Sequence, residues 1–386
     1  MGHTRFMSYP KLEEDLVLFK ELCLRFAREE IAPHAHEWEE AGTFPRSLYL
    51  RAAELGILGA GHPEEYGGSG GDFMYPLVAS EPILTAGSTG VLVGLQSLGI
   101  ALPPIYSLGT EEQKQRFIPS ILAGEKIAAL AVTEPGTGSD VAGIKTRAVR
   151  SGDHYILNGS KLFITSGYRA DYVTLLARTG DDGHGGLTFF VVEKGTPGFS
   201  ASKPLKKTGW WASDTAELYL ENARVPVANR LGEEGSGFSA VMENFVGERL
   251  GLAFTAHATA EAALNEAIAY ARERKAFGKT LSAFQVTRHK LANMWTQVQA
   301  AKALNYQLAA RKKAGEYPVA EVAAAKNFSG QVAVDVCYEA VQIFGGMGYM
   351  RESVVERLSR DARLIPIGGG TSEIMNEVIS KWGLKL

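Results

Sequence analysis

The sequence predicts an α+β fold in three blocks: an N-terminal α-helical domain (residues 1–125), a middle antiparallel β-domain (126–235) and a C-terminal α-helical bundle (236–386). Three observations carry this. Apolar residues recur at helical spacing up to about Gly124. Short β-rich runs bounded by turn residues come next. Long helical stretches resume after Gly237, the first of them Ala-rich. A chain of 386 residues also exceeds what one small core organises, so two or three packed units are expected.

In the first block Leu12, Leu16, Phe19, Cys23 and Phe26 fall at helical spacing, with Glu13, Glu14 and Asp15 where the helix dipole favours acids. Pro33 and Pro45 punctuate the next stretch, and Ser47 to Leu58 reads as a second helix ending at Gly59. Gly67-Gly68-Ser69-Gly70-Gly71 reads as a flexible loop, with no helix signal after it. Thr110-Glu111-Glu112-Gln113 is a capping box, whose Thr and Gln side chains satisfy orphan amides at a helix start.

In the second block Tyr155-Ile156-Leu157 and Lys161 to Thr165 flank Asn158-Gly159, a hairpin signal. Tyr172 to Leu176 and Leu187 to Val192 are β-rich, with Asp181-Asp182-Gly183 as turn chemistry between them. Leu218 and Leu220 alternate with Glu217 and Tyr219 before Pro226. In the third block Ala253 to Lys275, Phe284 to Lys313 and Val319 to Phe344 read as helices, ended by Gly315, Pro318 and Gly345-Gly346.

Composition narrows the function classes. Hydrophobic content of 45% and charged content of 22% describe an ordinary soluble globular chain. A net charge of −3 argues against nucleic-acid binding driven by phosphate neutralisation. No apolar run reaches membrane-spanning length, since Glu125 and Lys126 interrupt Ile118 to Val132. Met1-Gly2-His3-Thr4-Arg5 lacks the apolar core of a secretion signal. Only Cys23 and Cys337 are present, so a reducing, cytoplasmic compartment is expected. His34 and His36 share no helix face, and neither a Gly-x-Ser-x-Gly nor a phosphate-loop motif occurs.

Several stretches could carry chemistry. Leu130 to Asp140 is a short apolar run entering a Gly-rich turn, where Thr133 and Ser139 add hydroxyls. Trp210-Trp211 is either a packed β-domain edge or a wall for a planar cofactor. Arg274-Lys275-Ala276-Phe277-Gly278-Lys279 is either a solvated helix end or a grip for a pyrophosphate. Gly368-Gly369-Gly370-Thr371-Ser372-Glu373 is a glycine run entering a helix, where free amides suit an anion or a carbonyl. Glu243, Glu248 and Glu373 are the acids in apolar surroundings; taken alone, Glu248 reads as a local ion pair with Arg249.

Taken in order, these stretches resemble the acyl-CoA dehydrogenase family over nearly the whole chain. The resemblance rests on Val132 to Asp140, Leu157-Asn158-Gly159-Ser160-Lys161-Leu162-Phe163-Ile164-Thr165, Glu273 to Lys279, Gln342-Ile343-Phe344-Gly345-Gly346-Met347-Gly348-Tyr349 and Arg360-Asp361-Ala362-Arg363. It implies FAD between the β-domain and the C-terminal bundle. Leu130, Val132, Thr133 and Ser139 would then touch flavin or acyl-CoA, with Phe163 and Thr165 against the isoalloxazine ring. Arg274, Phe277, Gln285, Gln342 and Gly346 would reach the pyrophosphate and adenosine of a neighbouring subunit's FAD, and Thr371 and Glu373 form a further cofactor segment. Ser139, Arg249 and Gly370 would meet the substrate. A homotetramer built as a dimer of dimers is implied, with an electron-transfer flavoprotein as acceptor.

Many family members carry their base as the Glu of a Glu-Gly-Thr segment, which here reads Gly369-Gly370-Thr371. The isovaleryl and long-chain branches instead use a Glu before an Arg on a helix of the C-terminal bundle, and Glu248-Arg249-Leu250 matches that. The resemblance therefore implies Glu248 as α-proton base, flavin N5 as hydride acceptor, and the Gly369 amide as a donor to the thioester oxygen. The acyl group is expected to be medium- or long-chain, or branched. An acyl-CoA oxidase shares the chemistry, although such enzymes are usually longer. A non-catalytic FAD-binding relative is the other alternative, and the retained Glu248-Arg249 pair weighs against it.

Overall fold

The computed structural model describes residues 12–181 and 183–386; Met1 to Arg5 of the N-terminal stretch and Asp182 of the expected turn lie outside them. The helical block comprises α1 (Glu14–Phe26), α2 (Ala35–Ala41), α3 (Ser47–Glu54), α4 (Met74–Leu84), α5 (Thr89–Leu95), α6 (Leu98–Ala101), α7 (Pro103–Leu108) and α8 (Glu111–Leu122). α1 buries Leu16, Phe19, Cys23 and Phe26, the face that the spacing marks. The capping box closes at α8: the Gln113 amide donates to Thr110 Oγ1 (3.3 Å), and the Thr110 amide donates to Gln113 Oε1 (2.9 Å). α3 stops before the expected Gly59, because Gly56 turns left-handed (φ +74°) and the Ile57 amide reaches back to the Ala52 carbonyl. The Gly67–Gly71 run is not a loose loop. The Ser69 amide donates to the Gly59 carbonyl and the Gly70 amide to that of His62, and a Cβ on Gly68 would lie 2.2 Å from the His62 oxygen.

The β block holds β1 (Ala128–Ala131), β2 (Arg147–Ser151), β3 (His154–Thr165), β4 (Tyr172–Arg178), β5 (Leu187–Glu193), β6 (Phe199–Ala201), β7 (Thr215–Pro226) and β8 (Arg230–Leu231). Their spatial order is β6-β7-β3-β2-β4-β5-β8, with β1 also on β4. Most pairs are antiparallel, but β1 runs parallel to β4 from Ala128↔Tyr172 to Ala131↔Leu175, and β2 meets β4 in parallel at Arg147↔Arg178. The sheet is therefore mixed, which corrects the antiparallel expectation. Short apolar runs announce strands but carry no information about their direction.

Asn158-Gly159 is not a hairpin turn either. β3 runs straight through it, and the chain reverses earlier, between Ser151 and His154. Gly159 makes a bulge instead: the pairing with β7 shifts there, its φ is +147°, and a Cβ would lie 2.5 Å from Thr146 Oγ1. Gly159→Ala is expected to cost about 1–3 kcal/mol, read as a lower denaturation midpoint. An unchanged midpoint would show that the bulge accommodates a side chain.

The third block opens with α9 (Gly237–Glu273), which starts well before the Ala-rich stretch and carries Glu248. β9 (Lys275–Ala276) and β10 (Lys279–Thr280) form a small hairpin, followed by α10 (Gln285–Lys313), α11 (Val319–Phe344), α12 (Val354–Ala362) and α13 (Ser372–Ile379). One apolar core runs from Leu16 and Phe26 through Leu77 and Val132 to Val246 and Leu250, so all three blocks meet around α9. Beside it Glu81 of α4 accepts from Tyr306 (2.9 Å), pairs with Lys302 (3.1 Å) and Lys20, and meets His257 Nε2 at 3.0 Å. Among the described residues no single helix is long and apolar enough to cross a membrane.

Candidate active site

β1 carries Leu130 out of the helical block, and Val132-Thr133 continues into the Gly-rich turn, which closes by mutual hydrogen bonds between Glu134 and Thr137 (3.0 and 3.1 Å). Behind the turn Glu134 and Lys161 are buried and paired at 2.9 Å. Glu134 also accepts from the amides of Lys145 (2.7 Å) and Thr146 (2.9 Å), and Lys161 donates to the Val132 carbonyl (2.9 Å). Burial pushes the Glu134 carboxyl up, but Lys161 and these donors outweigh it and hold it below its usual value. Burial draws the Lys161 ammonium down to about 8. Every bond of Glu134 is spent on shape, so it is no candidate base.

The Leu162 amide donates to the Thr133 carbonyl (2.8 Å), which lays the turn along β3. There the pairing breaks between Lys161 and Ile164, and Phe163 swings out at φ +59° with 65% of its surface exposed. A bulky aromatic held in the left-handed region and left bare is strained, a state typical of functional positions. Thr165 is half-buried two residues on, and Ser139 is exposed beyond the turn.

A second group forms on α9. Val246 and Leu250 are buried on either side of Glu248, whose Oε2 is shielded from solvent without a hydrogen-bond partner. Burial pushes the Glu248 carboxyl up to about 7, against the opposing pull of Arg249 and Lys326. The ion pair with Arg249 is not found among the described residues, since neighbours in a helix face different ways. Arg249 instead donates through Nε to the Gly369 carbonyl (3.2 Å), with its guanidinium 5.4 Å from the Phe245 ring. Lys326 of α11, fully buried, donates to the Gly370 carbonyl (2.5 Å).

Gly369 and Gly370 both have positive φ (+64° and +99°). A Cβ at position 369 would lie 2.4 Å from Leu252 Cδ1 and 3.5 Å from Glu248 Oε1. Among the described residues the Gly369 amide donates to no protein acceptor. Thr371 then caps α13 by accepting from the Ile374 amide (3.3 Å), with Glu373 exposed in the first turn. Glu243 is exposed on α9.

Arg274, Phe277, Gln285, Gln342 and Gly346 gather at the other end of the bundle, where Tyr270 of α9 stacks on Phe344 of α11 at 4.1 Å. Phe277-Gly278 is the turn of the β9–β10 hairpin with both φ positive (+48° and +79°), and Phe277 is 96% exposed. All five residues lie at the surface. Arg274 comes 26 residues after Glu248 along α9, about 39 Å at 1.5 Å per residue. One chain therefore keeps this group away from Glu248. Trp210 is buried, and Trp211 lies between Arg351 and Arg360 (4.4 and 3.7 Å), so the tryptophan pair is packing rather than an open wall.

Sequence reasoning missed Lys326. Its one signal is a charge after Ala323-Ala324-Ala325, on the face of α11 that also buries Val322, Ser329 and Ala333.

The helical block, the sheet and the bundle match, in that order, the N-terminal, middle and C-terminal domains of acyl-CoA dehydrogenases over residues 13–125, 129–223 and 235–384. The chain belongs to the acyl-CoA dehydrogenase family, FAD-dependent oxidoreductases that act on CH–CH bonds. It is 41% identical to the short-chain specific acyl-CoA dehydrogenase of Clostridium acetobutylicum, covering 95% of this chain and 97% of that one. It is 40% identical to the mitochondrial long-chain specific enzyme of Rattus norvegicus, covering 94% and 85% respectively. A probable acyl-CoA dehydrogenase from Mycobacterium abscessus superposes with a TM-score of 0.94 at 51% identity, over 96% of this chain and 98% of that one. Similar identity to short- and long-chain relatives leaves the branch to be argued from the site.

Proposed function

We propose that this chain converts an acyl-CoA thioester to trans-2-enoyl-CoA with Glu248 as the α-proton base. One observation carries the assignment: the shielded, unpartnered Glu248 carboxylate lies 3.5 Å from where a Cβ on Gly369 would stand. A side chain at 369 would enter the space that Glu248 already serves, so Gly at one position and Glu at the other are a single solution. That pairing favours the long-chain/isovaleryl branch, with a medium- or long-chain or branched acyl group.

The residues present fit FAD. Phe163 is a bare aromatic on β3, whose neighbours Leu162 and Lys161 bond the Thr133 and Val132 carbonyls, and we assign Leu130, Thr165, Thr371 and Glu373 to the same cofactor. When bound, FAD supplies the acceptor for the hydride leaving the β-carbon. Arg274 stands about 39 Å along α9 from Glu248, with Phe277, Gln285, Gln342 and Gly346 at the same end of the bundle. We assign them to the cofactor of a second copy, in a homotetramer built as a dimer of dimers. An electron-transfer flavoprotein is the acceptor we assign for the electron pair.

The chain's own part is positioning and proton transfer. Substrate covering Glu248 strips water from its carboxylate and makes it a stronger base. The free Gly369 amide donates to the thioester oxygen as negative charge grows there. Arg249, Gly370 and Ser139 border the path of the substrate.

The rate of acyl-CoA-driven flavin bleaching is expected to fall below about pH 7. The base must be unprotonated, its carboxyl sits at about 7, and activity is lost as pH drops through that value. A profile flat between roughly pH 6 and 8 would remove Glu248 from this role. Anaerobic titration with acyl-CoAs of graded length and branching, followed by flavin absorbance, tests the substrate range; bleaching confined to short straight chains would reject it.

A further inference from the structure

Lys326 sits wholly inside the bundle, and its Nζ donates to a carbonyl, that of Gly370, rather than to a carboxylate. Burying an ammonium is costly, so a site that keeps one must use it. Arg249 does the same to the preceding carbonyl, that of Gly369, at 3.2 Å. Two cations from two helices thus grip successive carbonyls of a turn in which both residues have positive φ. Asn327, next on α11, ties the adjoining segment by donating to the Ser372 carbonyl and to Asn376 Oδ1, both at 3.0 Å.

The charged groups around Lys326 come from two of the helices packed against α11: Arg249 and Glu248 from α9, and Glu373 from α13. Those around Glu248 are Arg249 and Lys326, and Arg249 in turn faces Tyr317. Burial draws Lys326 down to about 8, so it stays charged at neutral pH.

We propose that Lys326 is a positioning residue for the reaction: it anchors the Gly369-Gly370 turn through the Gly370 carbonyl and so holds a cation on the turn that Glu248 faces. This rests on Glu248 being the base, and the test keeps the two apart. Lys326→Gln retains a donor for the carbonyl but no charge, whereas Lys326→Arg retains the charge. In FAD-loaded enzyme, K326Q is expected to move the acid limb of kcat/KM up by about one pH unit. The sign follows from losing a cation that stabilises the carboxylate. K326R is expected to leave the limb in place, and in K326Q kcat should fall more than KM changes.

A limb unmoved in K326Q, or moved equally by both variants, overturns the proposal. Should K326Q fail to hold FAD, K326R decides: a limb at the wild-type pH supports the charge role and a displaced limb rejects it. E248Q is assayed alongside. An inactive E248Q with an unmoved K326Q limb rejects Lys326 alone, whereas an active E248Q rejects the base assignment and Lys326 with it.

Discussion

Glu248→Gln is expected to abolish flavin bleaching by acyl-CoA, by a factor of about 10² to 10⁴, while FAD stays bound. The substitution keeps volume and planarity, so the place of the side chain against the Gly369 turn persists, but an amide cannot take the α-proton. The FAD cradle on β3 and the turn after β1 is untouched, so the visible spectrum should match wild type. A second signature comes from the raised carboxyl. In wild type the folded chain holds a proton that the unfolded chain releases between pH 4.5 and about 7, so this group costs stability as pH rises through that window. The Gln variant should lose that slope. Bleaching at near wild-type rate would instead move the base to Glu373, the remaining acid beside the turn, exposed though it is.

Much of the fold is written in local chemistry. α11 spans the same Val319–Phe344 that apolar spacing marks, and the α8 capping box closes as its residues require. The misses are of one kind. Asn158-Gly159 has the composition of a turn, but pairing with β2 and β7 on both sides holds β3 extended and converts it to a bulge. The direction of β1 is equally non-local, set by where β4 lies. The site shows the same limit more sharply. Spacing places Glu248 on a helix beside Arg249 and offers an ion pair; only the fold brings Gly369 against it, from far along the chain. Resemblance to a family pointed to Glu248, whereas Lys326, directly after an alanine run, carried no motif at all.

Lys161→Met has the largest expected effect on stability. Lys161 is the only cation paired with Glu134 among the described residues, and both side chains are buried. Removing it leaves a carboxylate in the sheet with two backbone amides and no counter-charge, a loss of about 3–5 kcal/mol. The same ammonium donates to the Val132 carbonyl, so the turn carrying Thr133 loses its anchor against β3. FAD affinity should therefore fall together with the denaturation midpoint, although neither residue is assigned a cofactor contact. Glu134→Gln in the Lys161→Met background tests the cause, because it removes the stranded charge and keeps the side-chain oxygen for the Lys145 or Thr146 amide. The double variant is expected to regain a large part of the stability but not the Val132 anchor, leaving flavin binding weaker than in wild type. A Lys161→Met midpoint within about 0.5 kcal/mol of wild type would place the pair among contacts that merely fill space. Recovery of FAD affinity in the double variant would show that the charge, and not the Val132 bond, holds the flavin-side turn.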